Sequence, residues 1–539
     1  MAEQELKLHV PKHARAGVER DLARGATNQV PLRAMYFDTA TRALVKAKIG
    51  LRLRREGRNW VQTLKMPGDH ALARIELNHP RPGPILDLSV YVGTAAEQIL
   101  ANLSEPLSIC YETDIKRTLR RIRTARGTVE VAYDLGWIRA GGLNLPVSEV
   151  EFELLSGNIA AIFYLGKRWQ QAHGLLFDAR SKAERGDRLA LLAQRLKDSP
   201  DQSKAIAGFW STRTIAPVLL KPEMTASEAL AAVMTECIDQ IARNAAILAE
   251  IDTANVCRAA TPEHVHQMRV GIRRMRSAWS LFNGIASLPP LSLRTEIKQH
   301  FARLGGTRDD DVLRETLLPV LSASGQPPIV IASEQAEDHT AELCASRAFQ
   351  SWLLDTIAWT LGVSIEDEKS KNAGAKNDNE SAQNSTPPAE QEIHSHEVLA
   401  AQIIPLSAKP LTLAETMSLK LRKWHRQVVR DGLRFEQLEI ETRHELRKRA
   451  KRLRYGLQFC ETLLPINRLK HYRKQLSVVQ DVLGEMNDLA VARDRFEALK
   501  ATQPQAWFAV GWITSRLETL VHDASQAFKV LSQAERFWR

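Results

Sequence analysis

Charge at every second residue is the feature that most restricts what the first third of this chain can become. Glu3, Glu5 and Lys7 alternate through MAEQELKLHV, and residues two apart on a β-strand share a face. The spacing returns with Arg52 and Arg54 in GLRLRR, Thr63 and Lys65 in VQTLKM, and Arg74 and Glu76 in ARIELNH. It returns again with Glu149, Glu151 and Glu153 in VSEVEFELL. Leu, Val, Ile and Phe occupy alternate positions, so such strands need an apolar layer on one side and a polar space on the other. A closed barrel with a charged lumen supplies both. Carboxylates at the two ends of this section, with Arg and Lys between them, predict a divalent metal and a multiply charged anion.

Turn signals at Pro67-Gly68, Pro82-Gly83-Pro84 and Gly141-Gly142 punctuate this strand-rich section up to about residue 195. Two helices are expected inside it, near 94–103 and 158–173. An interval over 196–224, with Lys-Asp-Ser-Pro and Pro217, reads as a linker with room for one short helix. From about residue 225 long helical periodicity takes over. Residues 366–397 carry almost no large apolar side chains and are expected to be disordered, because they cannot bury enough surface to offset ordering entropy. The expected architecture is α+β and multidomain. A mainly antiparallel barrel with flanking helices (1–195) precedes an all-α domain (225–535) whose halves, about 225–365 and 398–535, flank that insertion.

The helical halves repeat each other. HQMRVGIRRMRSAWSLF begins at His266 and HELRKRAKRLRYGLQFC at His444; LGGTRDDDV begins at Leu304 and LGEMNDLAV at Leu483. The first pair is offset by 178 residues (444 minus 266) and the second by 179 (483 minus 304). Positions i, i+3, i+7 and i+10 stay on one helical face. They hold His266, Arg269, Arg273 and Arg276 in one copy, and His444, Arg447, Lys451 and Arg454 in the other. Each stripe runs roughly 15 Å along its helix at 1.5 Å per residue. So many cations with so few acids predict a long anion lying across both helices. A net charge of +11 and a pI near 9.4 agree with polyanionic partners without choosing among them.

The five cysteines are scattered, without C-x-x-C spacing, and read as reduced thiols. No apolar run reaches the ~18–20 residues that span a bilayer, and no signal peptide is evident, so a cytoplasmic protein without a membrane partner is expected.

The strings EQELK, YFDT (Tyr36 to Thr39), LRLRR, TLK, VEVAYDLG, EVEFEL and SKAERG occur in this order over residues 1–195. Together they resemble the CYTH family, the triphosphate tunnel metalloenzymes. The two histidine-headed helices and the two LG-x-x-x-D segments resemble the CHAD domain, the conserved histidine α-helical domain. One departure is that Asp310 and Asp311 of the first copy have no acidic counterpart in the second, where only Asp488 matches Asp309. These aspartates are expected to hold basic side chains rather than a metal.

The resemblance implies an inorganic triphosphatase that cleaves triphosphate to pyrophosphate and phosphate with Mg²⁺ or Mn²⁺. Lys7, Arg52, Arg54, Lys65, Arg74, Arg117 and Lys182 are assigned to the phosphates, with Arg120 and Arg121 as alternatives to Arg117. Glu3, Glu5, Glu149, Glu151 and Glu153 are assigned to metal, with Glu76, Glu130 and Asp134 as additional candidates, and Glu5 as the base with Lys7 as the second catalytic residue. The helical domain would bind long-chain inorganic polyphosphate, placing the protein in the cytoplasm and at polyphosphate granules. Class IV adenylate cyclase, an organic triphosphatase acting on thiamine triphosphate or a nucleotide, and a non-enzymatic polyphosphate scaffold are the competing readings. Nucleic acid is the less favoured partner. Because the assigned ligands end at Lys182, residues 1–200 are expected to suffice for catalysis.

Overall fold

The computed structural model describes residues 3–67, 73–198, 206, 208–251, 260–304, 313–330, 339–363 and 411–538. The segment expected to be disordered and the acidic run Asp309–Asp311 lie outside the described residues, as does Cys257.

The alternating section forms one nine-stranded sheet. Its strands are β1 (Glu3–His9), β2 (Asn28–Asp38), β3 (Gly50–Glu56), β4 (Asn59–Pro67), β5 (Ala73–Arg81), β6 (Ser108–Thr124), β7 (Gly127–Ala140), β8 (Leu143–Gly157) and β9 (Leu176–Phe177). The order is β5-β4-β3-β2-β6-β7-β8-β1-β9, with antiparallel neighbours throughout. β1 also meets β5, at Glu3↔Arg74 and Gln4↔Ala73. The sheet therefore curls round to a seam of two residue pairs rather than forming the evenly closed barrel expected from the pattern.

Alternation sorts the side chains as period two demands. Leu6, Leu8, Val129, Val131, Val150 and Phe152 point outward, fully buried, beneath helix α4 (Ala160–His173). Gly166 lets α4 come this close, since a Cβ there would stand 2.5 Å from Leu6 Cδ2. The helix expected at 158–173 is this one. The one expected at 94–103 is realised as the short α3 (Glu97–Ala101), which follows α1 (Arg15–Leu22) and α2 (Ala43–Lys46).

Helix α5 (Lys182–Asp198) lies against the inner face. Its Leu189, Ala190 and Leu192 pack with Tyr36, Tyr111, Ile115, Ile138, Leu145 and Val147. The lumen is thus filled by an apolar helix at one end and charged in its middle. Gly186 is required here, because a Cβ would fall 2.2 Å from the Tyr111 ring.

The helical part comprises α6 (Ala226–Leu248), α7 (Pro262–Phe282), α8 (Leu291–Arg303), α9 (Leu318–Ala323), α10 (His339–Ala345) and α11 (Arg347–Thr360). After the undescribed stretch come α12 (Leu413–Gly432), α13 (Ile440–Phe459), α14 (Ile466–Leu499) and α15 (Ala506–Gln533). The repeat is visible in the starts of α6 and α12. Both are capping boxes, in which the backbone N–H of Glu228 donates to Thr225 at 3.2 Å and that of Glu415 to Thr412 at 3.3 Å.

Two expectations about organisation change. The 196–224 interval is not a free linker, since Phe209, Trp210, Val218 and Leu220 in it are buried. One hydrophobic cluster also runs from Leu6 and Phe152 through α4 to Leu230, Leu353 and Leu453. The two parts are clamped by the ion pair of Lys167 with Asp355 (2.5 Å) and by Gln350 Oε1 accepting from the backbone N–H of Phe177 (2.7 Å). A fragment ending at residue 200 would expose α4 to water, losing about 1.5–3 kcal/mol for each large apolar side chain uncovered.

Candidate active site

Strand register fixes which charged side chains share the lumen. Glu5 lies opposite Glu153, Lys7 opposite Glu151 and His9 opposite Glu149. Glu130 pairs with Glu153 and Asp134 with Glu149; Arg117 pairs with Asp134. Across the sheet Tyr36 lies opposite Arg52, Ala34 opposite Arg54, Thr63 opposite Arg52, and Glu76 opposite Lys65. Every one of these residues has the parity of the inner face. The open choice on β6 resolves by that parity, for Arg117 points inward while Arg120 points outward and donates to the Asp21 carbonyl. Arg121 shares Arg117's face, but it is 72% exposed at the rim, paired with Glu130 at 3.1 Å. Glu3 and Arg74 face each other across the seam; their side chains lie outside what the structure describes.

The lumen is polarised. On the β1–β7–β8 wall, oxygens of Asp134, Glu149 and Glu151 lie within 4.8 Å of one another. Lys182, reaching in from the start of α5, contacts all three, at 2.8 Å from Asp134 and 2.7 Å from Glu151. Arg117 holds Asp134 with two parallel bonds of 2.7 Å and Glu151 with one of 2.5 Å. Arg185, one turn beyond Lys182, grips Glu149 from behind. Burial would push the Glu149 and Glu151 carboxyls up, yet the cations outweigh it. Glu149 falls well below the usual carboxylate range, chiefly through Lys182 and Arg185, and Glu151 falls to about 2 through Lys182 and Arg117.

Glu5 and Glu153 behave in the opposite sense. Burial and then Glu151 raise Glu5; burial, then Glu130 and Glu5, raise Glu153. These are like charges gathered without enough compensation. On the other wall, Lys65 lies 2.5 Å and Arg52 3.4 Å from Glu76. Arg52 also donates to the Tyr36 hydroxyl at 3.4 Å, and Arg54 pairs with Glu56. Glu76 thus stands among cations, away from the acidic cluster in which it was a candidate. Lys7 donates to the Arg180 carbonyl, and Arg180 is itself fixed to Asp178 at 2.8 and 2.9 Å.

Arg185, Asp178 and Arg180 are positioning residues that the sequence reading did not single out. The one available signal was in SKAERG, where Arg185 sits three residues after Lys182 on the same helical face. Tyr36 and Tyr111 stack with ring centroids 4.5 Å apart, and both are at most 7% exposed.

In the helical part α7 and α13 pack together. Arg273 and Lys451 are electrostatic neighbours across that contact, and so are Arg276 and Arg452. The repeat extends to the bonds: Arg269 donates to the Leu304 carbonyl, and Arg447 Nε to that of Leu483 at 3.1 Å. Arg454 donates to Gln480 at 2.9 Å. Asp488 neighbours Lys451, in keeping with an acid that holds basic side chains. His266 is half-buried and His444 exposed. His264 caps the start of α7, its Nδ1 accepting from Thr261 while Nε2 donates to the Trp210 carbonyl at 2.9 Å.

A curled antiparallel sheet with a charged lumen, joined to an internally repeated basic helical domain, defines the class. Residues 1–186 match the CYTH domain family and residues 232–497 the CHAD domain family. The chain is therefore a CYTH domain followed by a CHAD domain. An inorganic triphosphatase of Haemophilus influenzae is 32% identical over 161 residues, which cover 28% of this chain and 44% of that protein. The chain thus spans less than half the length of that curated relative. Among solved structures, the CHAD domain of the plant Ricinus communis is 24% identical with a TM-score of 0.44, covering 61% of this chain and 98% of its own. HpAC1 from Hippeastrum, described as having a dominant triphosphatase activity, is 15% identical with a TM-score of 0.24, covering 33% and 92%. No helix among the described residues is long and apolar enough to cross a membrane.

Proposed function

We propose that the tunnel hydrolyses inorganic triphosphate to pyrophosphate and phosphate with Mg²⁺ or Mn²⁺, and that the basic helices bind inorganic polyphosphate. The polarised lumen carries this reading. One wall gathers Asp134, Glu149 and Glu151 around Lys182 and Arg117, and the other sets Arg52 and Lys65 around Glu76, a mix of hard oxygen donors and cations that suits a metal–triphosphate pair. The similarity to an inorganic triphosphatase supports it.

The donor set fits a hard divalent ion, because all its atoms are carboxylate oxygens and three of them converge within 4.8 Å. Asp134, Glu149 and Glu151, which Lys182 bridges in the structure, would hold it. When bound, such an ion polarises phosphoryl oxygens and lowers the pKa of a coordinated water. The chain's own groups do the rest. Arg52, Arg54 and Lys65 orient the phosphate chain, and Arg117 and Lys182 neutralise charge beside the carboxylates. Glu5, raised by burial and Glu151, is the carboxylate best placed to accept a proton from the attacking water. The apolar plug of α5 excludes water from one end.

An organic triphosphate is the less favoured substrate, for Tyr36 and Tyr111 are stacked on each other and buried, which leaves neither of these two rings open to a base. Phosphate release from triphosphate, pyrophosphate, ATP, thiamine triphosphate and long polyphosphate, with each metal, tests the reading. Triphosphate should be the fastest substrate. Faster turnover of ATP, or cyclic AMP formation, would replace it with the nucleotide reading.

A further inference from the structure

We propose that Trp210 is a positioning residue for the tunnel: packed against the Arg180 guanidinium, it fixes the backbone carbonyl that aims the Lys7 amine. The inference rests on the triphosphatase reading above and names a residue that acts on the same site from outside it. Trp210 lies between residues 1–186 and 232–497, in a segment that neither domain family covers.

The Lys7 amine ends a flexible four-carbon stem, so its direction depends on what it bonds to. It donates to the Arg180 carbonyl. Arg180 sits in the turn between β9 and α5. Asp178 folds that turn on itself, accepting from the Arg180 backbone N–H at 2.9 Å, from Nε at 2.8 Å and from Nη2 at 2.9 Å. Those bonds use one edge of the guanidinium. Its Cζ lies over the Trp210 ring, 4.4 Å from the centroid, and both side chains are 1% exposed. Arg180 Nη1 has no hydrogen-bond partner among the described residues. The ring therefore blocks the guanidinium, and the turn with it, from tilting about the Asp178 bonds. Removed from water, such a cation–ring contact is stronger than at a surface.

Trp210 is in turn held by the helices around it. Its carbonyl accepts from His264 Nε2 at 2.9 Å, at the start of α7. One residue on, Ser211 Oγ accepts from Arg188 of α5 at 2.5 Å. The Arg213 backbone N–H donates to Asn244 at 3.1 Å, and Asn244 donates back to the Arg213 carbonyl at 2.9 Å. Arg213 Nε donates to Asp239 at 2.7 Å, and both Asn244 and Asp239 stand on α6. The ring is a fixed surface, not a filler that can shift. Lys182 depends on it less, because the first turn of α5 has its own anchors in the pairs of Glu184 with Arg243 and Arg185 with Glu149. The effect of Trp210 thus runs through Lys7.

Steady-state kinetics of triphosphate hydrolysis by the full chain, as a double-mutant cycle between Trp210 and Lys7, tests this. Trp210→Leu keeps an apolar side chain but removes the ring. It should lower kcat/KM about tenfold, since a misplacement of about 1 Å can cost about 10²-fold. Trp210→Phe restores a ring and should recover most of that loss. In a Lys7→Ala background, Trp210→Leu should cost less than about twofold, because the group it positions is gone. A merely structural role would instead remove active protein equally in both backgrounds. An equal fall in both, no fall where Lys7 is present, a Trp210→Phe variant as slow as Trp210→Leu, or a Lys7→Ala variant as fast as wild type would overturn the inference. Should Trp210→Leu not fold by circular dichroism, His264→Leu, which frees the Trp210 carbonyl, takes its place in the cycle with the same direction expected. Triphosphate left intact by wild type with Mg²⁺ or Mn²⁺ would instead overturn the triphosphatase reading on which the inference rests.

Discussion

Replacing Glu151 by Gln removes the carboxylate that Lys182 and Arg117 share, at 2.7 and 2.5 Å, while keeping its volume. Glu151 falls from the ordinary 4.5 to about 2, a difference worth about 3 kcal/mol at about 1.4 kcal/mol per tenfold. The residue is only 14% exposed, so salt screens this little. Because the folded-state value is depressed, the stabilisation is present above the unfolded carboxyl's value and is lost as pH falls through the folded one. Urea unfolding of the full chain in chelator should therefore place Glu151→Gln about 3 kcal/mol below wild type at neutral pH. That gap should narrow once pH drops below about 4.5. Wild-type stability of the variant at neutral pH would show that the three carboxylates and two cations do not form the buried cluster described. A gap that persists unchanged into acid would show that Glu151's charge is not its source.

Glu5→Gln should lower triphosphate turnover by at least about 10²-fold with circular dichroism unchanged, since a proton acceptor is lost; near wild-type rates would remove Glu5 from the chemistry. Lys65→Ala should raise KM strongly for triphosphate, with kcat falling only as far as the contact tightens in the transition state; steady-state kinetics with neither constant changed would show that Lys65 does not touch substrate. Reversing Arg273 and Arg276 to Glu, which spares the carbonyl-anchored Arg269 and Arg447, should abolish long-chain polyphosphate binding while triphosphate hydrolysis continues. The wild-type affinity should drop steeply with salt, as for any multi-phosphate contact, and retention of tight binding by the double variant would move the polyanion site elsewhere.

The inner face of the tunnel was legible because period two is a backbone property that tertiary context does not alter. Spacing alone put Glu5 with Lys7, Arg52 with Arg54 and Glu149 with Glu151 on shared strand faces, while gathering them into one site with Lys65 and Asp134 came from the family resemblance. Which cation met which carboxylate was not legible. Glu76 reads the same as Glu149 in sequence, yet strand order sets it beside Lys65 and Arg52 on the opposite wall. Arg120 and Arg117 could not be separated without knowing which parity of β6 faced inward. The plug formed by α5 was hidden too, because Leu189 and Leu192 on a helix read as ordinary core, and only the topology turns them into the lumen. In the helical half the repeat announced two equivalent helices. It did not announce that Arg269 and Arg447 would be used on backbone carbonyls, a role that depends on where the Leu304 and Leu483 segments return.

The most direct test of the tunnel's assignment is ³¹P NMR of inorganic triphosphate incubated with the full chain, first in chelator and then with Mg²⁺ or Mn²⁺ restored. The account predicts no turnover in chelator, and then one pyrophosphate for each phosphate once the metal is returned. Turnover undiminished by chelation, or triphosphate left intact with either metal, would contradict it.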